Sequence, residues 1–271
     1  MSVAPKTVVY TCGVGGYDWI HRPQDRKREI SYLRFSDRRG LWQHPWRHRQ
    51  LPDLSEGKSP RLVTRYPKLL PHRVLPDCDV AIWVDGSIVV RDDLTPLVKE
   101  FLDSGDDIAL CPHPSGRTVA EEIDHAIDAR RIAPAQYEAA EQQRISYQAA
   151  GVLGAKVFEC TVIFYRLGSD KLQNVCERWW HELSNYTERD QVSLPYAMAG
   201  SGIRAKHWDW HFDDPTNRFL RRVPHRPKAL VKRMKTGAHF LSDTRLDYRL
   251  LHYGIKGASL IRNGRDKRKP S

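Results

Sequence analysis

The chain of 271 residues is 40% hydrophobic and carries 44 Lys and Arg against 33 Asp and Glu, a formal net charge of +11. This length and composition allow one large core, as in a single α/β domain with an appendage, while no apolar run approaches the roughly 20 residues of a membrane helix. Five scattered cysteines form no CxxC pair, which disfavours zinc or redox motifs and predicts reduced thiols in a cytoplasmic protein. The positive charge predicts an anionic partner.

Predicted strands and helices alternate along the chain, which is typical of a layered α/β fold. The predicted strands cover residues 7–12, 30–35, 80–84, 107–111 and 160–165. The predicted helices run from 95 to about 104 and over 119–131, 134–150, 170–183 and 189–198, and residues 38–60 read as a loop. Thr95 is the expected N-cap of its helix and Gly105 its end.

The chain becomes basic after about residue 215. Between Arg218 and Lys235 there are eight Lys or Arg and no acid, and the last eleven residues carry five basic residues against one acid. We expect residues 1–215 to form the main domain, 216–260 a basic extension packing on it, and 261–271 a disordered basic tail.

One carboxylate, Asp85, stands directly after a five-residue apolar run. Gly86 and Ser87 follow, and a second apolar run covers residues 88–90. A carboxylate at the end of a buried strand is well placed to hold a divalent cation beside a phosphate, because hard cations prefer oxygen ligands. The alternative is a hairpin with an acidic turn.

Other charged residues admit a functional and an ordinary interpretation. Arg65 and Lys68 are spaced i and i+3, so a helical turn would place both cations on one face, where they could bind phosphate; otherwise they are surface charges. Asp190 opens an apolar helix, where a carboxylate also suits the helix dipole. Glu159 borders the strand at 160–165 and could equally be a strand-edge charge.

The segment at 207–214, HWDWHFDD, supports a competing function. On a strand, His207, Asp209, His211 and Asp213 would share one face, and His207, Asp209 and His211 could hold zinc in a hydrolase. The alternative is a half-buried strand with a polar outer face. The two histidines of HPWRH at 44–48 are interpreted as loop residues.

The order of several short motifs resembles that of the TOD/MUCI glycosyltransferase-like family, within the GT-A nucleotide-sugar glycosyltransferase superfamily. The resemblance spans roughly residues 7 to 197. The matching pieces are Tyr10-Thr11, Gly16-Tyr17-Asp18, Phe35-Ser36-Asp37, Arg65 with Lys68 and Pro71-His72, Trp83-Val84-Asp85-Gly86-Ser87, His113-Pro114 with Arg117 and Glu121-Glu122, Glu159-Cys160-Thr161, and Arg189-Asp190-Gln191.

The resemblance implies a GT-A-like, Rossmann-type mixed sheet flanked by helices, and a nucleotide-sugar donor as co-substrate. The donor-binding residues that it implies are Thr11, Gly13, Tyr17, Asp37, Arg65, Lys68, Asp85, Gly86, Ser87 and Lys256. Asp37, just past a predicted strand, would bond the base or ribose, although it could equally cap a turn. Mn²⁺ or Mg²⁺ would be held by Asp85 and His252, with His239 as a rival late histidine. Such families often have Asp-x-Asp at the strand end, where this chain has Ser87 in the second position.

The resemblance also implies the catalytic residues Asp190, Gln191 and Glu159, with Asp190 at the sugar or acceptor side of the reacting centre. The expected acceptor is a glycan or a lipid-linked precursor. The basic C-terminal segment predicts peripheral contact with an anionic membrane at its inner face. A nucleic-acid-binding module is a further rival, suggested by charge alone, but no RRM, KH or helix-turn-helix pattern accompanies it, so no specific nucleic acid is expected.

Overall fold

The computed structural model describes residues 5–14, 20–25, 29–37, 44–51 and 58–223. Its strands are β1 (Thr7–Gly13), β2 (Ser31–Ser36), β3 (Arg47–Gln50), β4 (Val80–Val84), β5 (Ile88–Val90), β6 (Ile108–Pro112), β7 (Phe158–Arg166), β8 (Ala205–His207) and β9 (Leu220–Arg222). Its α-helices are α1 (Pro60–Leu69), α2 (Pro71–Val74), α3 (Thr95–Ser104), α4 (Val119–Asp128), α5 (Tyr137–Ala149), α6 (Asp170–Asn185) and α7 (Asp190–Met198), and a 3₁₀ turn (Pro134–Gln136) precedes α5.

Seven strands form one mixed sheet in the order β3-β2-β1-β4-β7-β6-β8. β7 runs antiparallel to both its neighbours, and the remaining strands are parallel to one another. The carboxyl ends of β1, β4 and β6 therefore meet the beginning of β7 at one edge of the sheet. The α/β architecture with a mixed sheet flanked by helices, predicted from the sequence, is confirmed.

Helices cover both faces of this sheet. Tyr10 and Trp83 belong to a core cluster with apolar residues of α1 and α6, whereas Val9 and Ile82 belong to a second cluster with residues of α3. Successive residues of a strand point to opposite faces, so Val9 and Tyr10, like Ile82 and Trp83, contribute to different core clusters. A central strand buried on both sides has no polar face, which explains the continuous apolar run of β4.

The turn after β4 does not close a hairpin. The amide of Ile88 donates to the carbonyl of Asp85 over 2.9 Å, and β5 then pairs with β9 in a separate two-stranded sheet. The hairpin alternative for residues 79–90 is therefore wrong. Asp85 lies at the carboxyl edge of the main sheet, directly after the last residue of β4.

Most predicted elements are confirmed within a few residues, and three differ. The expected loop over 38–60 contains β3, a polar edge strand whose residues alternate neither in burial nor in hydropathy. Thr95 is the first residue of α3 and not its N-cap; the Asp93 carboxylate accepts its amide and hydroxyl. Gly105 ends that helix with φ +73°, as predicted.

The third difference concerns 207–214, which is not one strand. β8 ends at His207, and the chain then turns so that Trp208 and Phe212 are buried. The basic residues from 224 onward, including the tail at 261–271, lie outside the described residues. Among the helices that the structure describes, none is both long and apolar enough to cross a membrane.

Candidate active site

Charged side chains from three elements meet at the carboxyl edge of the sheet. Asp85 follows β4, and its Oδ1 accepts the indole N–H of Trp83 over 2.6 Å. α1 crosses beside β1 and carries Arg65 and Lys68, while α7 begins at Asp190. The indole N–H of Trp179 on α6 donates to the carbonyl of Asp190 over 3.0 Å, which fixes the first turn of α7.

The two cations and two carboxylates form a charge quartet of Arg65, Lys68, Asp85 and Asp190. Lys68 Nζ lies 2.5 Å from Asp190 Oδ2 and 3.6 Å from Asp85 Oδ1. Arg65 Nε lies 3.3 Å from Asp190 Oδ2, and its Nη1 lies 3.9 Å from Asp85 Oδ1. The helical turn predicted for 65–68 is confirmed, and it presents both cations to carboxylates rather than to solvent.

Neighbouring residues fix both the backbone carbonyl and the ammonium group of Lys68. Its side chain is 1% exposed, and its carbonyl accepts the hydroxyls of Tyr165 over 2.8 Å and Tyr10 over 3.4 Å. Its ammonium also lies 5.7 Å from the centroid of the Trp83 ring. A buried lysine needs such compensation, because an unpaired charge in the interior is costly.

The surroundings of Asp190 keep it ionised. Burial by itself would raise its pKa, but Arg65, Lys68 and Arg189 together lower the pKa far below its ordinary value. The residue is 4% exposed. Its carboxylate is therefore a fixed negative charge and a weak proton acceptor at neutral pH.

Glu159 occupies a second polar cluster beside the quartet. The amide of Asp85 donates to the carbonyl of Thr161 over 2.9 Å, and the Thr161 hydroxyl bonds Glu159 Oε1. Glu159 Oε2 lies 3.7 Å from His113 Nε2 and 3.5 Å from Arg222 Nη2. Glu159 is thus a buried carboxylate facing two nitrogen donors, rather than a strand-edge charge.

The residues implied at the nucleoside side lie at the ends of neighbouring strands. The Thr11 hydroxyl is buried on β1 without a hydrogen-bond partner among the described residues. Gly13 ends β1, where an added Cβ would lie 3.1 Å from Ile20 Cδ1. Asp37 directly follows β2. Ser87, after β4, is buried, and its backbone carbonyl accepts the amide of Val223 over 2.7 Å. Tyr17, His239, His252 and Lys256 lie outside the described residues.

Sequence reasoning missed the ion pairs behind Asp190. Glu122 on α4 is fully buried and binds Arg117 over 2.8 Å and Arg189 over 2.9 Å. A signal was present, because Glu122 lies within the apolar stripe of α4, next to Ile123 and three residues after Val119. An acid in that stripe must find a cation.

The zinc site proposed as an alternative for 207–213 is not formed. His207 ends β8 while Asp209 and His211 lie beyond that strand, and no group of three His, Cys, Asp or Glu residues in the described part of the chain could hold a metal ion. The metallohydrolase interpretation rested on a strand that ends at His207. It therefore loses its structural basis.

Comparison with known proteins identifies the family of the chain. The chain is similar to structures of an active-site mutant of LgtC (TM-score 0.46, 15% identity, covering 83% of this chain and 92% of that one) and of the bifunctional glycosyltransferase WbbM (0.43, 11%, 77% and 39%). It is also similar to mouse xyloside xylosyltransferase 1 (0.43, 12%, 76% and 86%). The family described as TOD1/MUCI70, glycosyltransferase-like domain, matches residues 46–218, and the chain belongs to this family. A search of curated proteins finds no match.

The family match confirms the resemblance inferred from the ordered motifs, and with it the prediction of a glycosyltransferase. The matched range contains the charge quartet, Glu159 and Gln191.

Proposed function

We propose that this enzyme binds a nucleoside diphosphate sugar at the carboxyl edge of the sheet and transfers the sugar to a hydroxyl of a glycan or lipid-linked acceptor. The observation that carries the proposal is the charge quartet at that edge, in which Lys68 and Asp190 are buried while Arg65 and Asp85 remain partly exposed. Open α/β sheets bind ligands outside the carboxyl ends of their strands. Burying the charges of Lys68 and Asp190 costs free energy that a merely structural contact would not require.

Asp190 supplies charge to the reacting centre in this proposal. Glycosyl transfer passes through an oxocarbenium-like state, which a fixed carboxylate stabilises when water is excluded. The low pKa of Asp190 makes it unsuited to remove a proton from the acceptor. Glu159, with its carboxylate beside His113, is the better-placed residue to accept that proton.

The two cations of the quartet have different tasks. Lys68 is almost fully buried and touches both carboxylates, so it orients Asp85 and Asp190. The Arg65 side chain is 17% exposed, and we assign it the contact with the donor diphosphate. Lys256, which lies outside the described residues, remains a proposed second phosphate ligand.

A divalent cation, Mn²⁺ or Mg²⁺, would assist donor binding through Asp85. The Asp85 side chain is 25% exposed, and its Oδ1 is taken by Trp83 and the cations while Oδ2 has no hydrogen bond to a described residue. One carboxylate oxygen is a sparse ligand set, so the fit depends on diphosphate oxygens and on His252 beyond the described residues. When bound, the ion would neutralise diphosphate charge.

The acceptor and the location of the enzyme are proposed from charge. The excess of Lys and Arg after residue 215 suits an acidic glycan, or the headgroups of an anionic membrane carrying a lipid-linked acceptor. We therefore propose a cytoplasmic enzyme with peripheral contact at the inner membrane face.

Thermal-shift measurements with UDP-, GDP-, CMP- and dTDP-sugars, with and without Mn²⁺, test the donor class. One nucleotide class should raise the melting temperature, because a ligand that binds only the folded state stabilises it. UDP-sugars are the expected class. No shift with any of the four classes, together with no release of free sugar, would contradict the proposal.

A further inference from the structure

Gln191 follows Asp190 on α7 and is bonded to a neighbouring arginine. Arg189 Nη2 lies 2.8 Å from Gln191 Oε1 and 2.9 Å from Glu122 Oε1. A guanidinium has only hydrogen-bond donors. The amide atom facing Arg189 must therefore be the oxygen, so the usual ambiguity between amide oxygen and nitrogen does not arise here.

Glu122 fixes Arg189 in turn. Its two carboxylate oxygens divide between two arginines, with Oε2 on Arg117 and Oε1 on Arg189, and its side chain is fully buried. Charge-assisted bonds of this kind are short and directional. α4 thereby holds α7 in a set orientation at the residue next to Asp190.

The bonds at Oε1 determine what Gln191 can offer a substrate. Its Nε2 makes no hydrogen bond to a residue in the described ranges, and it is not among the buried polar atoms sealed from solvent. Gln191 as a whole is 9% exposed. The carboxamide thus presents two N–H donors, while its oxygen already accepts one hydrogen bond from Arg189.

We infer that Gln191 acts as a hydrogen-bond donor to an oxygen of the donor sugar or its leaving phosphate, and that Arg117, Glu122 and Arg189 are positioning residues that set this polarity. The inference rests on the proposed function of the same site. It also makes the amide oxygen of Gln191 a weaker nucleophile and proton acceptor, because the hydrogen bond from Arg189 draws electron density from that oxygen.

A double-mutant cycle on the full chain tests the inference, with donor hydrolysis as the readout and the nucleotide sugar that wild type hydrolyses fastest as the probe. Gln191→Glu keeps an oxygen for Arg189 and removes the N–H donors. We expect its kcat to fall about tenfold or more while the donor KM changes less than about threefold. Glu122→Gln should lower kcat several-fold in the wild-type background and less than about twofold in a Gln191→Ala background.

Gln143→Glu is the matched control for a buried amide exchanged for an acid. Gln143 lies on α5 and bonds Thr187 and Tyr147, outside the quartet. It should lower the melting temperature and leave kcat near wild type. If Gln191→Glu hydrolyses the donor at the wild-type rate, or if Glu122→Gln costs as much without Gln191 as with it, the inference is overturned.

A measurement on wild type keeps the test independent of variant folding. The side-chain NH₂ resonances of Gln191, assigned by their loss in Gln191→Glu, should shift when the nucleotide sugar is added, and no shift at saturation would overturn the donor role. Wild type that neither binds nor hydrolyses any nucleotide sugar would instead contradict the proposed function, and the inference with it.

Discussion

Among the described helices, α6 and α7 each begin with an aspartate, and the two carboxylates have different surroundings. Asp170 opens α6 on the surface, where its carboxylate complements the helix dipole. Asp190 opens α7 and is buried against Lys68 and Arg65. An interaction with the helix dipole therefore does not account for Asp190, because its contacts with Lys68 and Arg65 keep the carboxylate ionised.

Asp190→Asn should destabilise the fold and reduce turnover together. Breaking the buried ion pair leaves Lys68 with the more distant Asp85 carboxylate, 3.6 Å away, and costs about 3 kcal/mol of unfolding free energy. Loss of the fixed charge at the reacting centre should lower kcat roughly a hundredfold. Chemical denaturation and donor hydrolysis, the latter well below the melting temperature, measure the two effects.

Asp170→Asn is the control for Asp190→Asn, because it removes a first-turn carboxylate that has no buried partner among the described residues. It should leave kcat unchanged and the melting temperature close to wild type. If the two variants behaved alike, Asp190 would be a helix-terminal charge only.

The stability contributed by Asp190 should depend on pH with a defined sign. Its folded pKa lies below the ordinary value of about 3.9, so the unfolded state binds more protons in the acid range and stability rises with pH there. The contribution is complete above about pH 5 and is lost as pH falls toward the folded pKa. The difference in unfolding free energy between wild type and Asp190→Asn should therefore shrink from pH 5 to pH 2, and a constant difference would contradict the ionised pair.

Among the strands and helices, those with a clear pattern of apolar residues are predicted correctly from the sequence. β1, β4, β7 and α6 have buried apolar runs or stripes, and their positions are predicted within two or three residues. β3 is a polar edge strand and leaves no such pattern. The strand predicted over 207–214 is wrong, because alternating polar and aromatic residues also suit a turn that buries Trp208 and Phe212.

The sequence indicates which residues belong to the candidate site, but it does not indicate how their side chains are arranged. The ordered motifs indicate Asp85, Asp190, Arg65 and Lys68, all of which the structure brings together. Their mutual pairing could not be predicted, because it depends on α1 crossing beside β1 and on α7 starting over the same edge. Glu122 on α4 and Arg189 are 67 positions apart in the sequence, so no local sequence pattern could indicate that they form an ion pair.

α4 begins with a capping box that stabilises the helix carrying Glu122. The Thr118 hydroxyl accepts the amide of Glu121, and the Glu121 carboxylate accepts the amide of Thr118. Thr118→Ala should cost about 1 kcal/mol of unfolding free energy. Thr64→Ala, in the interior of α1, is the control and should cost less, since alanine favours a helix interior. Equal losses by denaturant unfolding would argue against the cap.

At the scale of the whole molecule, charge is distributed unevenly. The described site has balanced charges, with cations matched by carboxylates in the quartet. The formal +11 of the chain therefore reflects other regions, above all the basic residues that follow position 215. We assign that excess to attraction of an anionic acceptor or membrane rather than to chemistry.

Removal of residues 262–271 should weaken membrane binding and spare the donor site. It deletes five basic residues and one acid. Binding to phosphatidylserine vesicles should fall, most at low salt, while the donor-induced rise in melting temperature stays unchanged. A full-length variant with those five basic residues replaced by Gln separates charge from chain length. Loss of donor binding in either variant would place the tail in the active site.

Asp85 and Asp79 flank the same strand, and comparing them tests the central claim most directly. Asp85 follows β4 at the proposed donor site, whereas Asp79 precedes β4 at the opposite edge, is exposed and accepts the amide of Lys6 over 2.7 Å. Calorimetry should be done in Mn²⁺ on wild type, Asp85→Asn and Asp79→Asn, with the nucleotide sugar that most stabilises wild type. We predict wild-type affinity for Asp79→Asn and at least about tenfold weaker binding for Asp85→Asn, the loss expected when one charged contact is removed. Unchanged affinity in a folded Asp85→Asn variant would contradict a donor site at the carboxyl end of β4.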